Sequence, residues 1–292
     1  MVFKNAIDIM GNTPLLQFKT DEINNKSRIF VKLEGFNPTG SIKDRACLYN
    51  IRGAIEDGTL KEGMTILDAS SGNMACAIAY YGKIMGYETE LVCGSKLTED
   101  KSNFIEYFGG KLTMHGDFTI EGNHYCRDVI YPKDKDKYCF LDQLHNFNNP
   151  LGAYETLGPE IYNDIPELKM IVGSLGSGGS MYGAGKFLKE RNDKILSITV
   201  ETESGYKIPG TGTFVDGDYV TPFIERGKEG VFDGFVRITL PNAKKRTQQL
   251  QEQGIFVGLD ATIESINEYN IEGDVVMISG DSGWKNINKL MS

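Results

Sequence analysis

The segment MTILDASSGNMACAIAYYGKIMG (residues 64–86) joins an apolar run to a helical stretch through a short turn. Residues 64–70 have the length and apolar character of a buried strand, and residues 73–86 resemble a helix that ends in glycine. The turn between them contains Ser70, Ser71 and Gly72. A strand that leads into a helix in this way is the repeating unit of α/β proteins.

The same alternation recurs along most of the chain. Strands are predicted at residues 28–34, 88–94, 169–176 and 195–202, and helices at 41–58, 98–110 and 179–191. This order predicts a doubly wound α/β fold with mainly parallel sheets, and the length suits one large or two modest domains. The segment 203–234 is rich in Gly, Asp and Glu, has no clear periodicity, and is predicted to be a long loop.

Composition excludes several classes of function for this chain of 292 residues. The net charge of −9 disfavours nucleic acid and anionic membranes as partners. The N-terminal stretch shows no signal-peptide pattern, and no apolar run is long enough to span a membrane. The five cysteines have no CxxC spacing, which indicates free thiols in a reducing cytoplasm. With only three histidines, a metal site is not expected.

Three turns that follow apolar strands combine glycine with hydroxyl side chains. They are residues 70–73 (SSGN), 176–180 (GSGGS) and 280–283 (GDSG). In an open α/β sheet, ligands bind beyond the carboxyl ends of the strands, where such turns lie. The first turn fits a small carboxylate and the second fits a phosphate monoester, although each is also compatible with an ordinary strand–helix connection. The third is a weak signal by itself.

One further stretch, NPTGSIKDRAC (residues 37–47), places Lys43 after several turn-forming residues. Alone it is compatible with a helix start in which Ser41 is the N-cap and Asp44 lies near the positive helix end. Taken with the three turns, Lys43 fits a lysine that binds pyridoxal 5′-phosphate, since this cofactor needs a Schiff-base lysine, a phosphate cradle and a partner for its ring nitrogen.

With these motifs in order, the chain resembles the fold type II pyridoxal-phosphate enzymes, in particular the cysteine synthase and cystathionine β-synthase family. The resemblance runs from GNTPLL (residues 11–16) to GDSG and includes LDQLHNFNNP (141–150) and KIPGTG (207–212). It implies two domains, a large cofactor-binding domain of residues 1–40 and 146–292 and a smaller mobile substrate-binding domain of 41–145. The active site is expected in the cleft between them, and a homodimer is expected.

The resemblance also implies a role for each matching residue. Lys43 would be the catalytic Schiff-base lysine. The remaining cofactor contacts would be Asn73, Gly176, Ser177, Gly178, Gly179, Ser180 and Ser282, and the substrate contacts would be Ser70, Ser71, Gly72, Met74, Gln143 and Gly210.

The implied reaction is β-replacement through an aminoacrylate, in which O-acetylserine and sulfide give cysteine. The alternative is a lyase that releases hydrogen sulfide from cysteine while water, an amino acid or a thiol adds at Cβ. In such a lyase Asp233 is a candidate base, although a solvated loop carboxylate is the more ordinary interpretation. A catalytically silent binding protein remains open, and a dehydratase is disfavoured because the motifs match the synthase branch better.

Departures from the family pattern leave the choice of substrate open. Met74 stands where the family usually has Thr, which removes a hydroxyl. GIFVGLDATIES (residues 254–265) lacks two expected serines and adds Asp260, and residues 213–233 are rich in carboxylates.

Overall fold

A computed structural model describes residues 2–23, 26–208, 210–256 and 262–286, without the side chains of Thr262 and Asn286. The chain forms two compact units. The first unit comprises Met1–Met10 and Lys43–Asn149, and the second comprises Gly11–Ile42 and Pro150–Ser292. Asp260, one of the departures noted above, lies outside the described residues.

The described ranges contain ten strands and ten α-helices. The strands are β1 (Leu15–Phe18), β2 (Ser27–Leu33), β3 (Thr65–Ala69), β4 (Glu88–Cys93), β5 (Lys111–Met114), β6 (Tyr138–Phe140), β7 (Leu168–Ser174), β8 (Leu196–Thr202), β9 (Gly234–Ile238) and β10 (Gly273–Ser279). The helices are α1 (Lys43–Glu56), α2 (Asn73–Met85), α3 (Glu99–Tyr107), α4 (Thr119–Tyr125), α5 (Asn148–Gly152), α6 (Gly158–Asp164), α7 (Gly179–Arg191), α8 (Pro222–Lys228), α9 (Leu240–Glu252) and α10 (Thr262–Tyr269).

Each unit is built on one sheet. The first unit has a four-stranded parallel sheet of order β5-β4-β3-β6. The second has a six-stranded sheet of order β1-β2-β10-β7-β8-β9, in which only the β1–β2 pair is antiparallel. The predicted α/β class with mainly parallel sheets is confirmed. Because β2, β10 and β7 are parallel neighbours, the segments that follow them leave the same edge of the sheet.

The central strand β10 shows why the six-stranded sheet is covered on both faces. Val275 and Met277 belong to one apolar cluster, whereas Val276 and Ile278 belong to another. Successive side chains of a strand point to opposite faces, so the continuous apolar run VVMI supplies the core on both sides of the sheet.

The predicted helix over residues 41–58 begins later than expected, at Lys43. Ser41 forms an isolated bridge with Asp281, and the N–H of Ile42 donates to the carbonyl of Gly280 at 2.8 Å. Residues 41 and 42 are therefore held in extended pairing with a distant part of the chain and cannot join the helix.

The predicted loop over residues 203–234 contains helix α8 and a 3-10 turn at Phe214–Asp216. Thr221 is the N-cap of α8, and Pro222 occupies its first position, the favoured place for proline in a helix. The acidic side chains stabilise local turns. Asp216 accepts the N–H of Gly205 at 3.0 Å, and Asp218 accepts that of Thr213 at 2.7 Å.

The observed units also differ from the predicted domains at their boundaries. Residues 1–10 and 146–149 group with the smaller unit, and residues 41–42 group with the larger one. Ile7 and Met10 pack against the apolar cluster of the first unit, and the Asn149 side chain donates to the Gln143 carbonyl at 2.8 Å. The roles assigned to the two domains stay predictions.

No helix within the described parts of the chain is both long and apolar enough to cross a membrane.

A carboxylate of the second unit gives a testable prediction about stability. The Oε2 atom of Glu22 accepts a hydrogen bond from the Arg246 Nη1 atom at 2.5 Å, and Gln249 donates to the same carboxylate. The hydrogen bond from Arg246 has the largest effect and that from Gln249 the next largest, and they lower the pKa of Glu22 to about 2. The stabilisation is fully present above the ordinary pKa of 4.5 and is lost as the pH falls toward the folded pKa.

Glu22→Gln is expected to lower the free energy of unfolding at pH 7 by about 1 kcal/mol or less, because solvent screens this partly exposed pair. Thermal unfolding at low salt should show a smaller difference from wild type near pH 3 than at pH 7. Glu252→Gln, a change at an exposed carboxylate of α9, serves as the control. An equal destabilisation by Glu22→Gln at both pH values would contradict the ion-pair explanation.

Candidate active site

In the first unit, the turn that follows β3 is held by backbone and hydroxyl groups. The N–H of Ser70 donates to the carbonyl of Val92 at 3.0 Å, and the N–H of Gly94 donates to the Ser71 hydroxyl at 2.5 Å. The Ser70 hydroxyl accepts the N–H of Gly72 at 3.2 Å. The turn is thereby tied to the end of β4, and its shape is fixed before any ligand binds.

A thiol also forms a hydrogen bond with this turn. The Cys93 Sγ atom donates to the Ser70 carbonyl at 3.0 Å. Burial raises the pKa of the Cys93 thiol to about 12, which keeps the proton on sulfur and preserves the donor at neutral pH. All five cysteines of the chain are buried free thiols.

Helix α2 begins directly after the turn, with Asn73 and Met74 as its first residues. The first N–H groups of a helix have no acceptor within it, and the helix dipole favours an anion at this end. The Met74 side chain is only 1% exposed and belongs to the apolar cluster of the unit. Met74 can therefore offer a carboxylate its backbone N–H but no side-chain donor.

The structure brings Gln143 to this turn from the segment that follows the neighbouring strand β6. The Gln143 Nε2 atom donates to the Ala69 carbonyl at 2.6 Å, and its backbone N–H donates to the Asp68 Oδ2 atom at 3.3 Å. Asp68 was not identified from the sequence, although a carboxylate inside the apolar strand TILDA was a visible signal. Burial raises the pKa of Asp68 well above its usual range. Asp68 thus fixes the backbone of Gln143 from within the core.

In the second unit, the turn after β7 approaches other backbone and side-chain atoms so closely that only glycine fits. A Cβ atom on Gly176 would lie 2.7 Å from the Gly210 carbonyl oxygen. Gly178 has a φ of +84°, and a Cβ atom there would lie 2.5 Å from the Ile224 Cγ1 atom. The structure therefore brings the predicted phosphate turn and Gly210 together. Pro209, which precedes Gly210, lies outside the described residues.

The donor set of this turn fits a phosphate group. Gly178 is the N-cap of the 13-residue helix α7, and Gly179 and Ser180 are its first residues. Backbone N–H groups at a helix start, hydroxyls of Ser177 and Ser180, and the absence of side-chain bulk at three glycines form a concave anion cradle.

The third turn, after β10, lies beside the segment that precedes Lys43. The N–H of Ile42 donates to the Gly280 carbonyl at 2.8 Å, and the N–H of Ser282 donates to the Gly40 carbonyl at 3.3 Å. Lys43 is the next residue of the chain and starts α1. The turn that delivers the lysine and the turn that carries Ser282 are thus hydrogen-bonded to each other.

Buried polar groups stabilise the segment before Lys43. The carboxylate of Glu34 accepts the Thr13 hydroxyl at 2.6 Å and the Asn37 side-chain amide at 2.9 Å. The Asn37 carbonyl accepts the N–H of Gly40 at 2.8 Å, and the Asn37 Oδ1 atom accepts the N–H of Gly11 at 2.9 Å. This network joins the GNTP and NPTG motifs of the sequence into one rigid support.

Asp233, which the sequence suggested as a candidate base, does not lie at the carboxyl edge of the six-stranded sheet. It directly precedes β9, its N–H donates to the Ser197 carbonyl at 2.9 Å, and its carboxylate accepts from Lys189 at 2.8 Å. Ser197 lies near the amino end of β8, so Asp233 is about 15 Å, one strand length, from the carboxyl edge. In the structure, the Asp233 carboxylate forms an ion pair with Lys189.

The family model described as "Pyridoxal-phosphate dependent enzyme" matches residues 7–276. The chain belongs to this family. The recognition of a fold type II pyridoxal-phosphate enzyme and the predicted cofactor are therefore confirmed.

Curated relatives of this chain and a solved structure to which it is similar agree with that result. A probable cysteine synthase of Bacillus subtilis is 30% identical over 97% of this chain and 95% of its own length. Cysteine synthase B of Salmonella typhimurium is 33% identical over 69% of this chain and 66% of its own. The crystal structure of a hydrogen sulfide-producing enzyme from Fusobacterium nucleatum has a TM-score of 0.88 at 26% identity and covers 98% of both chains.

The close approach of Gly35 to Ser282 gives a testable prediction for this enzyme. A Cβ atom on Gly35 would lie 2.8 Å from the Ser282 backbone nitrogen and 3.0 Å from its Cβ atom. Gly35→Ala must therefore displace Ser282, and such overpacking is expected to weaken pyridoxal 5′-phosphate binding about tenfold or more. The cofactor dissociation constant, from the visible absorbance of the bound form, measures this.

Gly280→Ala is the matched control for Gly35→Ala. Among the residues that the structure describes, a Cβ atom on Gly280 would meet only the Ile42 Cγ2 atom, at an ordinary 3.9 Å. We expect this variant to bind the cofactor as wild type does. Equal cofactor affinity in Gly35→Ala and Gly280→Ala would show that the position of Ser282 does not matter for binding.

Proposed function

We propose that this enzyme exchanges the β-substituent of an activated serine, with O-acetylserine and sulfide as substrates and cysteine and acetate as products. The β-replacement class rests on the family and on relatives that are named cysteine synthases. The specific substrates are our proposal.

Lys43 is proposed to carry the cofactor covalently and, once released by the incoming amino acid, to move the proton at Cα. Bound pyridoxal 5′-phosphate supplies an electron sink that makes this proton removable and allows the β-substituent to leave. An amine held at the first position of a helix can return to the same place after each step. The bonds that Ile42 and Gly40 make to residues 280–282 support this role, because they fix the backbone immediately before Lys43.

The contacts to the cofactor's phosphate and ring nitrogen are proposed for two turns of the second unit. The turn Gly176, Ser177, Gly178, Gly179 and Ser180 would bind the phosphate through N–H groups and hydroxyls. The Ser282 hydroxyl would face the ring nitrogen. Because a hydroxyl is neutral, it does not hold a proton on that nitrogen as a carboxylate would, and this favours reaction at Cβ over transamination.

Substrate contacts are proposed for the turn after β3. Ser70, Ser71 and Gly72, the Met74 N–H and the Gln143 amide would bind the substrate carboxylate, while Asn73 would contact the ring hydroxyl. Gly210 is proposed to lie beside the substrate. The hydrogen bonds of Gln143 to Ala69 and Asp68 are the observation that carries this proposal, because they join two separate sequence motifs at one helix N-terminus.

A second candidate is a cysteine lyase, in which cysteine and water give serine and hydrogen sulfide. It is favoured by the similarity over 98% of both chains to a hydrogen sulfide-producing enzyme. Both reactions use the same lysine and the same carboxylate turn, and they differ in the leaving group and the incoming nucleophile.

Two assays on the holoenzyme discriminate these reactions. The first measures cysteine formed from O-acetylserine and sulfide, and the second measures sulfide released from cysteine alone. We expect the first rate to exceed the second. Faster sulfide release from cysteine would instead assign the lyase reaction.

Lys43→Ala is expected to lower either activity by about 10²–10⁴-fold or more, because both the covalent attachment and the proton transfer are lost. The visible absorbance band of the attached cofactor should disappear as well. Lys83→Ala, a change at an exposed lysine of α2, should leave both properties unchanged. A Lys43→Ala variant with normal activity would exclude the proposed role of Lys43.

We also propose that the enzyme works as a homodimer in the cytoplasm. The five buried thiols are typical of proteins kept in a reducing compartment. Phe36 and Trp284 are 66% and 57% exposed, and aromatic residues are enriched at protein–protein interfaces. Light scattering coupled to gel filtration should give the mass of two chains.

A further inference from the structure

Thr221 lies in the segment that the sequence predicted to be a loop, and its hydroxyl contacts the phosphate turn. Its side chain is 1% exposed, and the Oγ1 atom donates to the Ser177 carbonyl oxygen at 2.5 Å. The Thr221 Oγ1 atom also accepts the N–H of Ile224 at 3.4 Å, because Thr221 is the N-cap of α8. One buried hydroxyl thus joins the start of α8 to the middle of the phosphate turn.

This hydrogen bond fixes the orientation of a whole peptide unit. The peptide group is planar and trans, so its C=O and N–H point in opposite directions. With the Ser177 carbonyl held toward Thr221, the N–H of Gly178 must point to the other side. The two atoms of this peptide unit carry opposite partial charges, and only one orientation offers a donor to an anion.

Without such a restraint, the Ser177–Gly178 peptide unit could turn over. Gly178 has a φ of +84°, and glycine adopts positive and negative φ values almost equally readily. A turned peptide would direct the Ser177 carbonyl oxygen at the phosphate and repel it. Ile224, in the helix that Thr221 caps, also lies against this turn, since a Cβ atom on Gly178 would lie 2.5 Å from the Ile224 Cγ1 atom.

We propose that Thr221 is a positioning residue for cofactor binding, which locks the Ser177–Gly178 peptide unit with its N–H toward the phosphate of pyridoxal 5′-phosphate. The proposal rests on the assignment of residues 176–180 to the phosphate. It gives the carboxyl-terminal part of the predicted loop a function, because α8 then serves as the support of the phosphate turn.

Pyridoxal 5′-phosphate and pyridoxal, which lacks the phosphate, separate this role from a general effect on folding. The full chain, freed of cofactor, is titrated with each compound. The dissociation constant of pyridoxal divided by that of pyridoxal 5′-phosphate is the ratio that measures the contribution of the phosphate. Thr221→Val removes the hydroxyl at nearly constant volume. We expect it to weaken binding of pyridoxal 5′-phosphate about tenfold and to leave pyridoxal binding unchanged.

Two control variants isolate the hydrogen bond to Ser177. Thr221→Ser keeps the hydroxyl and should restore the wild-type ratio. Thr239→Val removes the N-cap hydroxyl of α9, which accepts the N–H of Asn242 at 3.3 Å. It should lower the thermal stability of the cofactor-free chain by an amount similar to Thr221→Val, yet keep the wild-type ratio.

Ser180→Ala changes the phosphate turn itself. It therefore distinguishes a wrong inference about Thr221 from a wrong assignment of residues 176–180 to the phosphate. If Ser180→Ala lowers the ratio and Thr221→Val does not, the inference about Thr221 is wrong while the turn assignment stands. If neither variant changes the ratio, the phosphate assignment fails and the inference falls with it. Equal weakening of both ligands by Thr221→Val would also overturn the proposal, because the effect would then not act through the phosphate.

Discussion

Two backbone hydrogen bonds, from Ile42 to Gly280 and from Ser282 to Gly40, are the constraint on which the rest of the second unit's site depends. They hold the turn before Lys43 against the turn after β10, although these segments lie far apart in sequence. The backbone of residues 40–42 and the backbone of residues 280–282 are therefore held together within the second unit. Gly35 is part of the same constraint, since any side chain there would displace Ser282.

Each unit contains a strand-to-helix turn of the kind that can bind an anion. In the first unit, a hydroxyl-rich turn leads from β3 to the N-terminus of α2, and in the second unit a glycine-rich turn leads from β7 to that of α7. The difference lies in the supports. Gln143 and the Cys93 thiol stabilise the first turn, whereas Thr221 and Ile224 stabilise the second. In the proposed site, the first turn would bind a carboxylate and the second a phosphate through similar backbone donors.

The sequence predicts the elements whose signals are local. The apolar run and terminal glycine of residues 64–86 correctly predict β3 and α2, because Gly86 takes the left-handed conformation that ends the helix. Residues 41 and 42 are mispredicted as helical because their partners at 280 and 281 are distant in sequence. Helix α8 is missed because seven residues are too short for a periodic signal. Asp233 was selected from local acidity, and its pairing with Lys189 depends on the folded sheet.

Reduction of the holoenzyme with borohydride, followed by peptide mass spectrometry, tests directly whether Lys43 carries the cofactor. Reduction fixes the cofactor to the lysine that carries it. We expect a single modified peptide that contains Lys43. The informative alternative is Lys285, whose Nζ atom lies 3.7 Å from the position of a Cβ atom on Gly40, in the turn before Lys43. Modification of Lys285, or of any lysine other than Lys43, would contradict the assignment of Lys43 as the residue that carries the cofactor.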